Sequence, residues 1–484
     1  MKVEDKVMDL AKRRGFVWGP SPNIYQGGLA GFYDWGPLGK LLKNKVENVF
    51  RKGFMAFGFW EVECPTIMPS KVWEASGHKD GLVDYITLCD KCGSAYRVDH
   101  LLGDVEDTDP KKLKLILDKK KIKCPSCNKG SFGEIEKRNL MMKTNVGLNQ
   151  EVFLRPETAT TTYLLFPELY RFFRTKMPFG VFQIGKAYRN EISPRQGVFR
   201  TREFTQAEAQ LIILKEQEKK FEKLKEFSDE VLPLMKYGSK KIVNIKLNEI
   251  VKKKYMKTEA YVYVMYVAYK LVRDMGFEPK RIRIRQHNPH ELVHYAKDAW
   301  DIEVDTDKYG WFELCGVHDR ADYDLKQHGE FSKTKMEVSG EIPRILEIAF
   351  GLERTTYSLL ENSLVDDKER DWLNFDKGIA PIDIGIFPLM KKDKLDDLAK
   401  EVLGDLDKEF VCVYDESGSI GRRYRRMDEV GTSFCITVDH DSLKKKDVTL
   451  REVSSMKQVR VKIKDLKGII RELLAKELDF DKIK

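Results

Sequence analysis

Tyr188-Arg189-Asn-Glu-Ile-Ser-Pro-Arg195-Gln-Gly-Val-Phe-Arg200-Thr-Arg202-Glu-Phe204 is the stretch on which the reading of the whole chain turns. An extended segment ends at Arg189-Asn190-Glu191, the polar run Ser-Pro-Arg-Gln-Gly turns, and Phe199 to Gln206 runs back. On a hairpin, side chains two apart share a face, so the arginines gather on one side. A guanidinium forks, keeps its charge and pairs bidentately with phosphate oxygens, which suits a polyphosphate. Phe204 offers a ring on which a purine can stack. Taken alone, the same residues also describe a charged surface hairpin, and the neighbouring sequence has to decide.

Composition narrows the field first. The chain has 484 residues, and 86 Lys+Arg against 77 Asp+Glu leave a formal charge of +9. At roughly 150 residues per domain, that length suggests about three domains with a large buried core. Hydrophobic residues at 42% and charged residues at 34% describe a soluble globular chain, and 11% aromatics argue against global disorder. No apolar run approaches the roughly 18 residues that span a bilayer. MKVEDKVMDLAKRRGF at the N-terminus reads as an amphipathic helix without a secretory signal. The expectation is a cytoplasmic multidomain enzyme with no membrane partner. The basic excess permits a nucleic-acid partner without demanding one.

Cys89-Asp-Lys-Cys92 and Cys124-Pro-Ser-Cys127 form two Cys-x-x-Cys pairs, separated by the 31 residues 93–123. Each pair puts two thiolates on one tight turn, and two such knuckles close a tetrahedral Zn²⁺ site. The gap exceeds the usual spacing of about 15–20, so a subdomain must fold between them. Four cysteines leave no open ligand position, which makes the zinc structural. Cys64, Cys315, Cys412 and Cys435 stand in apolar strand contexts and read as core. The Lys- and Glu-rich run EQEKKFEKLKEFSDEVLPLM (216–235) reads as solvated helix. From about residue 380, strand-like IDIGIFPLM, FVCVYDE, FCITVDHD and QVRVKIK alternate with helical stretches, as in a compact α/β unit. The divisions expected are 1–88, 151–213 and 281–380 as a catalytic core, 89–150 as a zinc insertion, 214–280 as a helical insertion, and 381–484 as a C-terminal domain.

The hairpin resembles motif 2 of the class II aminoacyl-tRNA synthetases, with Tyr188-Arg189-Asn190-Glu191 and Arg200…Phe204 matching it. Gly351-Leu352-Glu353-Arg354 matches the Gly-x-x-Arg of motif 3, and Leu41 to Pro65 the helix and strand of motif 1. All three occur in order. Within the class, the chain is most similar to glycyl-tRNA synthetases of the dimeric archaeal and eukaryotic type. The matching stretches include NIYQGGLAGFYDWGPLG (23–39), SGHKDGLVD (76–84), YRVDHLL (96–102), LRPETA (154–159) and REFTQAE (202–208). They continue through RQHNPHELVHYAKDAWD (285–301), GWFELCGVHDRADYDLKQH (310–328) and SGSIGRRYRRMDEVGTSFC (417–435).

The resemblance implies an α+β fold: an antiparallel sheet flanked by helices, zinc-ribbon-like and helical insertions, and a C-terminal α/β anticodon-binding domain. It implies a homodimer acting on ATP with Mg²⁺, glycine and tRNA(Gly). In its terms Arg189, Glu191, Arg200 and Arg354 are the catalytic set. ATP is bound by these with Asn190, Phe199, Thr201, Arg202, Glu203, Phe204, Glu313, Leu314, Gly351, Leu352 and Glu353. Glycine is bound by Arg97, Glu157, Phe204, Thr205, Gln206, Ala207, Glu208, Glu347, Ile348, Ala349, Phe350 and Gly351, with Glu157, Glu208 and Glu347 gripping its ammonium. Glu313 is placed beside ATP and Mg²⁺. Arg422-Arg423-Tyr424-Arg425-Arg426 suits anticodon phosphates and a stacked base, although Asp428 and Glu429 are near enough in sequence to pair with it. Two departures stand out: Thr160-Thr161 where the family writes Gln-Gly, and Glu347-Ile348-Ala349 where it writes Glu-Pro-Ser, which loses a hydroxyl. A synthetase for serine, threonine or proline would not explain the acidic set. A non-catalytic paralogue could have lost the phosphate arginines, which are all present. A bare zinc-dependent RNA-binding protein would not explain motifs 2 and 3.

Overall fold

Pro37–Ala56 is helix α1, opened by a proline at the one place where a missing N–H costs nothing. Its Gly39, Leu42, Val46, Phe50 and Phe54 are buried at helical spacing, so one stripe faces the core. The computed structural model describes residues 3–103, 109–192, 194, 197–288, 292, 296–307, 309–367, 370–392 and 394–483. Ser193, Arg195 and Gln196 of the hairpin loop, and 289–291 and 293–295 of the 285–301 stretch, lie outside the described residues.

Nine strands make the central sheet: β1 (Phe59–Glu61), β2 (Phe179–Tyr188), β3 (Glu203–Ile213), β4 (Val231–Met235), β5 (Val243–Lys246), β6 (Ile282–Gln286), β7 (Asp298–Thr306), β8 (Gly310–Ala321) and β9 (Arg344–Gly351). Their order is β5-β4-β6-β7-β8-β9-β3-β2-β1. Every pairing is antiparallel except β1 with β2 and β4 with β6. One face carries α1 and helix α2 (Glu259–Asp274), packed on Ala207, Ala209, Cys315, Val317, Leu346 and Ile348. The other face stays polar in its middle and holds the cleft. Strand alternation divides β3 and β9 into these two faces, and in β8 it does so with one register shift against β7.

The solvated helical insertion expected at 214–280 is not what forms. Only Lys215–Lys219 is α-helical within 216–235, followed by a 3₁₀ stretch, Glu222–Phe227, and then β4. Leu232 and Leu234 are fully buried, and α2 is buried along almost its whole length. The chain here completes the sheet and its backing, because EAYVYVMYVAYKLV (259–272) is apolar on every side. Even the charged part is engaged, since the buried Glu218 carboxylate pairs with Arg344 at 2.7 Å. The cysteine-bearing insertion also has other bounds than 89–150. Its sheet joins Val83–Leu88, Ala95–Arg97 and Glu136–Asn139, whereas Met142–Val146 and Gln150–Leu154 form a separate sheet with Ile67–Pro69.

Past the helix α3 (Leu352–Ser363), a second core gathers around a five-stranded mixed sheet from Ile384–Pro388 to Gln458–Lys462. The basic run lies on helix α4 (Ile420–Val430) and is less free than expected. Arg423 is buried and donates to the Pro388 carbonyl, and the Tyr424 ring packs edge-on against Phe387 at 5.4 Å. Arg426 pairs with Asp415 at 2.5 Å. Asp428 turns to Arg370 and Arg451, and Glu429 to Arg13 and Arg14, so neither acid pairs with the run. Arg422 and Arg425 stay exposed. Helical geometry explains the split: residues three to four apart, Arg423, Met427 and Val430, share the inward face. Cys64, Cys315 and Cys435 are buried as expected, while Cys412 is only half-buried.

Candidate active site

The polar face of the sheet is hollowed into a cleft of about 240 Å³, with arginines at one end and carboxylates at the other. Arg189, Arg200 and Arg354 form the cationic end. Arg189 donates from Nε to the Pro156 carbonyl at 3.1 Å, and its guanidinium lies 5.4 Å from the Phe204 ring centroid. Arg354 bonds the Phe199 carbonyl at 3.3 Å and reaches Glu313 at 3.3 Å. Arg200 is paired through Nε and Nη2 with Glu191, at 2.7 Å each, and lies 3.4 Å from His100. The register of β7 on β8 shifts between Ile302 and Glu303, so that Glu313, not Leu314, faces Glu303. A bulge of this kind re-aims a side chain, here placing Glu313 at the cleft beside Arg354.

At the other end, Glu157, Glu208 and Glu347 converge, all buried. Glu157 pairs with His78 at 3.2 Å and accepts from the Thr160 hydroxyl at 2.6 Å. Burial opposes its ionisation, but His78, Arg320 and Thr160 outweigh it and hold its pKa well below the usual carboxylate range. Glu347 accepts from Tyr163 at 2.5 Å, pairs with His318 at 3.1 Å and with Arg320 at 3.3 Å. Its pKa is also lowered, since Arg320 and His318 overcome the burial. Glu208 differs. Its bonds among the described residues come from neutral groups: the Thr158 hydroxyl at 2.5 Å, the Gln206 amide at 2.8 Å and the Ala159 backbone. Burial, then the carboxylates of Glu347 and Glu157, push it up to about 8. Burial and two neighbouring carboxylates thus favour the protonated form of Glu208 in the empty cleft, and a bound ammonium would favour its ionised form.

Phe204, Gln206, Glu208, Ala349 and Gly351 face the cleft; Phe199, Thr201, Leu314 and Phe350 border it, the Phe350 ring turning to the helix-covered side, 4.7 Å from that of Phe50. Gly316 lies in register between Ala349 and Asp301, and a Cβ there would meet His318 at 2.6 Å. Of the other residues expected at the site, only Glu353 borders it. Ala207, Ile348 and Leu352 are core residues on the helix-covered face. Thr205 also points to that side and bonds Glu353. Glu353 borders the cleft, but its carboxylate is held by Lys43 at 2.6 Å. Asn190 is exposed, Glu203 pairs across the hairpin with Lys186, and Arg202 braces the Glu191 and Ala30 carbonyls. Arg97 is held by Asp84 and Asp99 inside the cysteine-bearing module and does not reach the cleft. His78, Tyr163, His318 and Arg320 went unrecognised in the sequence. His318 and Arg320 stand two and four residues after Gly316 on one strand face, and that alternation is the signal that would have found them.

The four cysteine sulfurs of Cys89, Cys92, Cys124 and Cys127 lie within 4.8 Å of one another, with closest pairs at 3.6 and 3.7 Å. Tetrahedral zinc with Zn–S bonds of about 2.3 Å places its sulfurs roughly 3.8 Å apart, so the donor set fits. A Cβ on Gly130 would meet Cys89 Sγ at 2.3 Å, which keeps that turn glycine. Cys124→Ala should therefore cost the protein roughly one zinc per chain by mass spectrometry of the metal content and open residues 83–139 to protease. Retention of full zinc would refute the four-thiolate site.

Arginines facing carboxylates across an antiparallel sheet, with the hairpin and Gly-x-x-Arg in place, define a class II aminoacyl-tRNA synthetase. Residues 143–363 match the family described as tRNA synthetase class II core domain (G, H, P, S and T), and 381–473 the anticodon binding domain family. The chain belongs to the glycine–tRNA ligase family. It is 36% identical to the glycine–tRNA ligase of Methanococcus vannielii over 98% of this chain and 100% of that one. Identity is 37% to those of Methanocaldococcus jannaschii (98% and 99% covered) and Thermococcus kodakarensis (97% and 98%). Among solved structures, a prolyl-tRNA synthetase from Cryptosporidium parvum, complexed with halofuginone and AMPPNP, shares the fold. Its TM-score is 0.59 at 14% identity, over 98% of this chain and 78% of that one. No helix among the described residues is long and apolar enough to cross a membrane.

Proposed function

We propose that this cleft activates glycine with ATP and passes it to the 3′ end of tRNA(Gly). The observation that carries the reading is Glu208: a buried carboxylate without a cationic partner among the described residues, aimed into the same cleft as three arginines. The glycine ammonium completes the acidic end. Its carboxylate then attacks the α-phosphate in line and expels pyrophosphate, leaving glycyl-adenylate. Arg189 neutralises the α-phosphate as charge builds, and Arg200 and Arg354 hold the β- and γ-phosphates. Phe204 stacks the adenine, and Glu191, once released by Arg200, accepts from the adenine amino group. Glu313, beside Arg354 at the cleft, is the carboxylate that would share a Mg²⁺ bound to the ATP phosphates, which would offset their charge. No side chain acts as a nucleophile; positioning and electrostatics carry the step. In the second half the terminal ribose hydroxyl of the tRNA attacks the activated carbonyl. Zinc, held by the four cysteines, has a structural role. The C-terminal domain, with Arg422 and Arg425 free on its surface, takes the anticodon arm. The rings of Trp60 and Phe172 touch at 5.7 Å and are both more than half exposed beside edge strand β1, which supports a homodimer; the place of action proposed is the cytoplasm, where translation uses charged tRNA.

ATP–pyrophosphate exchange without tRNA tests the reading with glycine, alanine, serine, threonine and proline in turn. Exchange is expected with glycine alone. Exchange driven by another amino acid would overturn the specificity, and none at all from folded, zinc-loaded protein would overturn catalysis.

A further inference from the structure

Lys43 is the one charged residue on the buried stripe of α1. Its ammonium sits 4.9 Å from the Trp35 ring and donates to Glu353 Oε1 at 2.6 Å, with both side chains 5% exposed. The position of Glu353 is equally unusual. The β3–β9 ladder ends at the pair Gln206–Gly351, because β9 turns there into α3. Thr205, one residue past the last pair, has lost a strand partner. The carboxylate of Glu353 replaces it: Oε2 accepts the Thr205 N–H at 2.7 Å, and Oε1 accepts the Thr205 hydroxyl at 3.1 Å. One carboxylate thus extends the sheet where the backbone no longer can.

That carboxylate joins the two elements facing the nucleotide. Thr205 is the neighbour of Phe204, and Glu353 is the neighbour of Arg354. Both carboxylate oxygens are engaged: Oε2 accepts the Thr205 N–H, and Oε1 accepts from the Thr205 hydroxyl and from Lys43. A buried carboxylate stays ionised only beside a cation. We propose that Lys43 is a positioning residue for the ATP half of the cleft. By neutralising Glu353 it holds Phe204 and Arg354 at fixed spacing, although it touches no substrate itself. The proposal rests on the reading of that half as the nucleotide site.

The test is ATP and glycine binding by calorimetry in the full chain, for wild type, Lys43→Met and the double variant Lys43→Met/Glu353→Gln. A displacement of the binding groups by a fraction of an ångström to one ångström costs about 10- to 100-fold. Lys43→Met should weaken ATP by that factor and leave glycine within twofold. In the double variant no charge is stranded, and the glutamine carbonyl still accepts from Thr205, so ATP affinity should return most of the way. A purely structural role predicts a lower melting temperature with both affinities intact in the folded fraction, and that result would overturn the proposal, as would equal losses for ATP and glycine. Should Lys43→Met not fold, Thr205→Val removes one bond into Glu353 while keeping the charges. It should weaken ATP several-fold and spare glycine; no change would count against the proposal. Wild-type exchange is measured in the same series. Its failure would sink the activity, whereas ATP binding judges Lys43 separately.

Discussion

Arg189→Ala is expected to lower glycine-dependent ATP–pyrophosphate exchange by about 10²–10³-fold, the range seen when one preorganised donor to developing charge is lost. Among the described residues Arg189 makes no ion pair with a carboxylate within 4 Å. Its Nε bond to the Pro156 carbonyl and its stacking over Phe204 fix the guanidinium plane. The same Pro156 carbonyl precedes Glu157, so the side chain assigned to the phosphate also steadies the loop assigned to the ammonium. The loss should fall mainly on turnover, because charge on the α-phosphate rises toward the transition state. Arg189→Lys should recover only part of it, since an ammonium cannot reproduce the fork. Equal exchange rates in Arg189→Ala and wild type, at matched folded concentration, would remove Arg189 from the chemistry.

The second large effect is a pH dependence set by Glu208. In the empty protein this carboxylate is pushed up to about 8, so it is protonated at neutral pH. The sign follows. Folding holds a proton that the unfolded chain has already released, so this group's contribution to stability declines as pH rises from about 4.5 to about 8. Glycine reverses the preference, because its ammonium favours the ionised acid. The glycine KM should fall as pH is raised from about 6 and flatten above about 8, with a proton released on binding. Glu208→Gln should lose that slope and raise the glycine KM by about 10- to 100-fold, the worth of one charge-assisted hydrogen bond of ~1.5–3 kcal/mol. A glycine KM that stays flat across this range would show that Glu208 carries no such proton.

What the sequence conveyed, and what it withheld, follows physical lines. The hairpin, the Gly-x-x-Arg turn and the paired cysteines are short-range patterns whose chemistry survives in one dimension. The three glutamates became legible as a set only through the motifs around them. His318, Arg320, Tyr163 and His78 stayed hidden because their roles exist across the fold, in bonds to Glu347 and Glu157 from strands and helices far apart in the chain. At 214–280 the Lys and Glu content suggested solvated helix, whereas Leu232, Leu234 and the apolar α2 decided for the core. Arg423 and Tyr424 misled in the opposite way, since a basic run on a helix always turns some members inward. Ala207, Ile348 and Thr205 came along with their motifs, and strand alternation removes them from the cleft.

The ion pair in which Arg200 grips one oxygen of Glu191 with two nitrogens has a consequence for selectivity among anions. The groups assigned to the phosphates and to the base are tied to each other while the cleft is empty. A free inorganic anion that captures Arg200 would leave Glu191 buried without the two bonds it now accepts. A nucleotide supplies both replacements at once, an anion for the arginine and an amino group for the glutamate. The resting cleft therefore behaves as a two-key lock: phosphate or base alone meets a closed ion pair, and only a molecule carrying both can exchange it without loss.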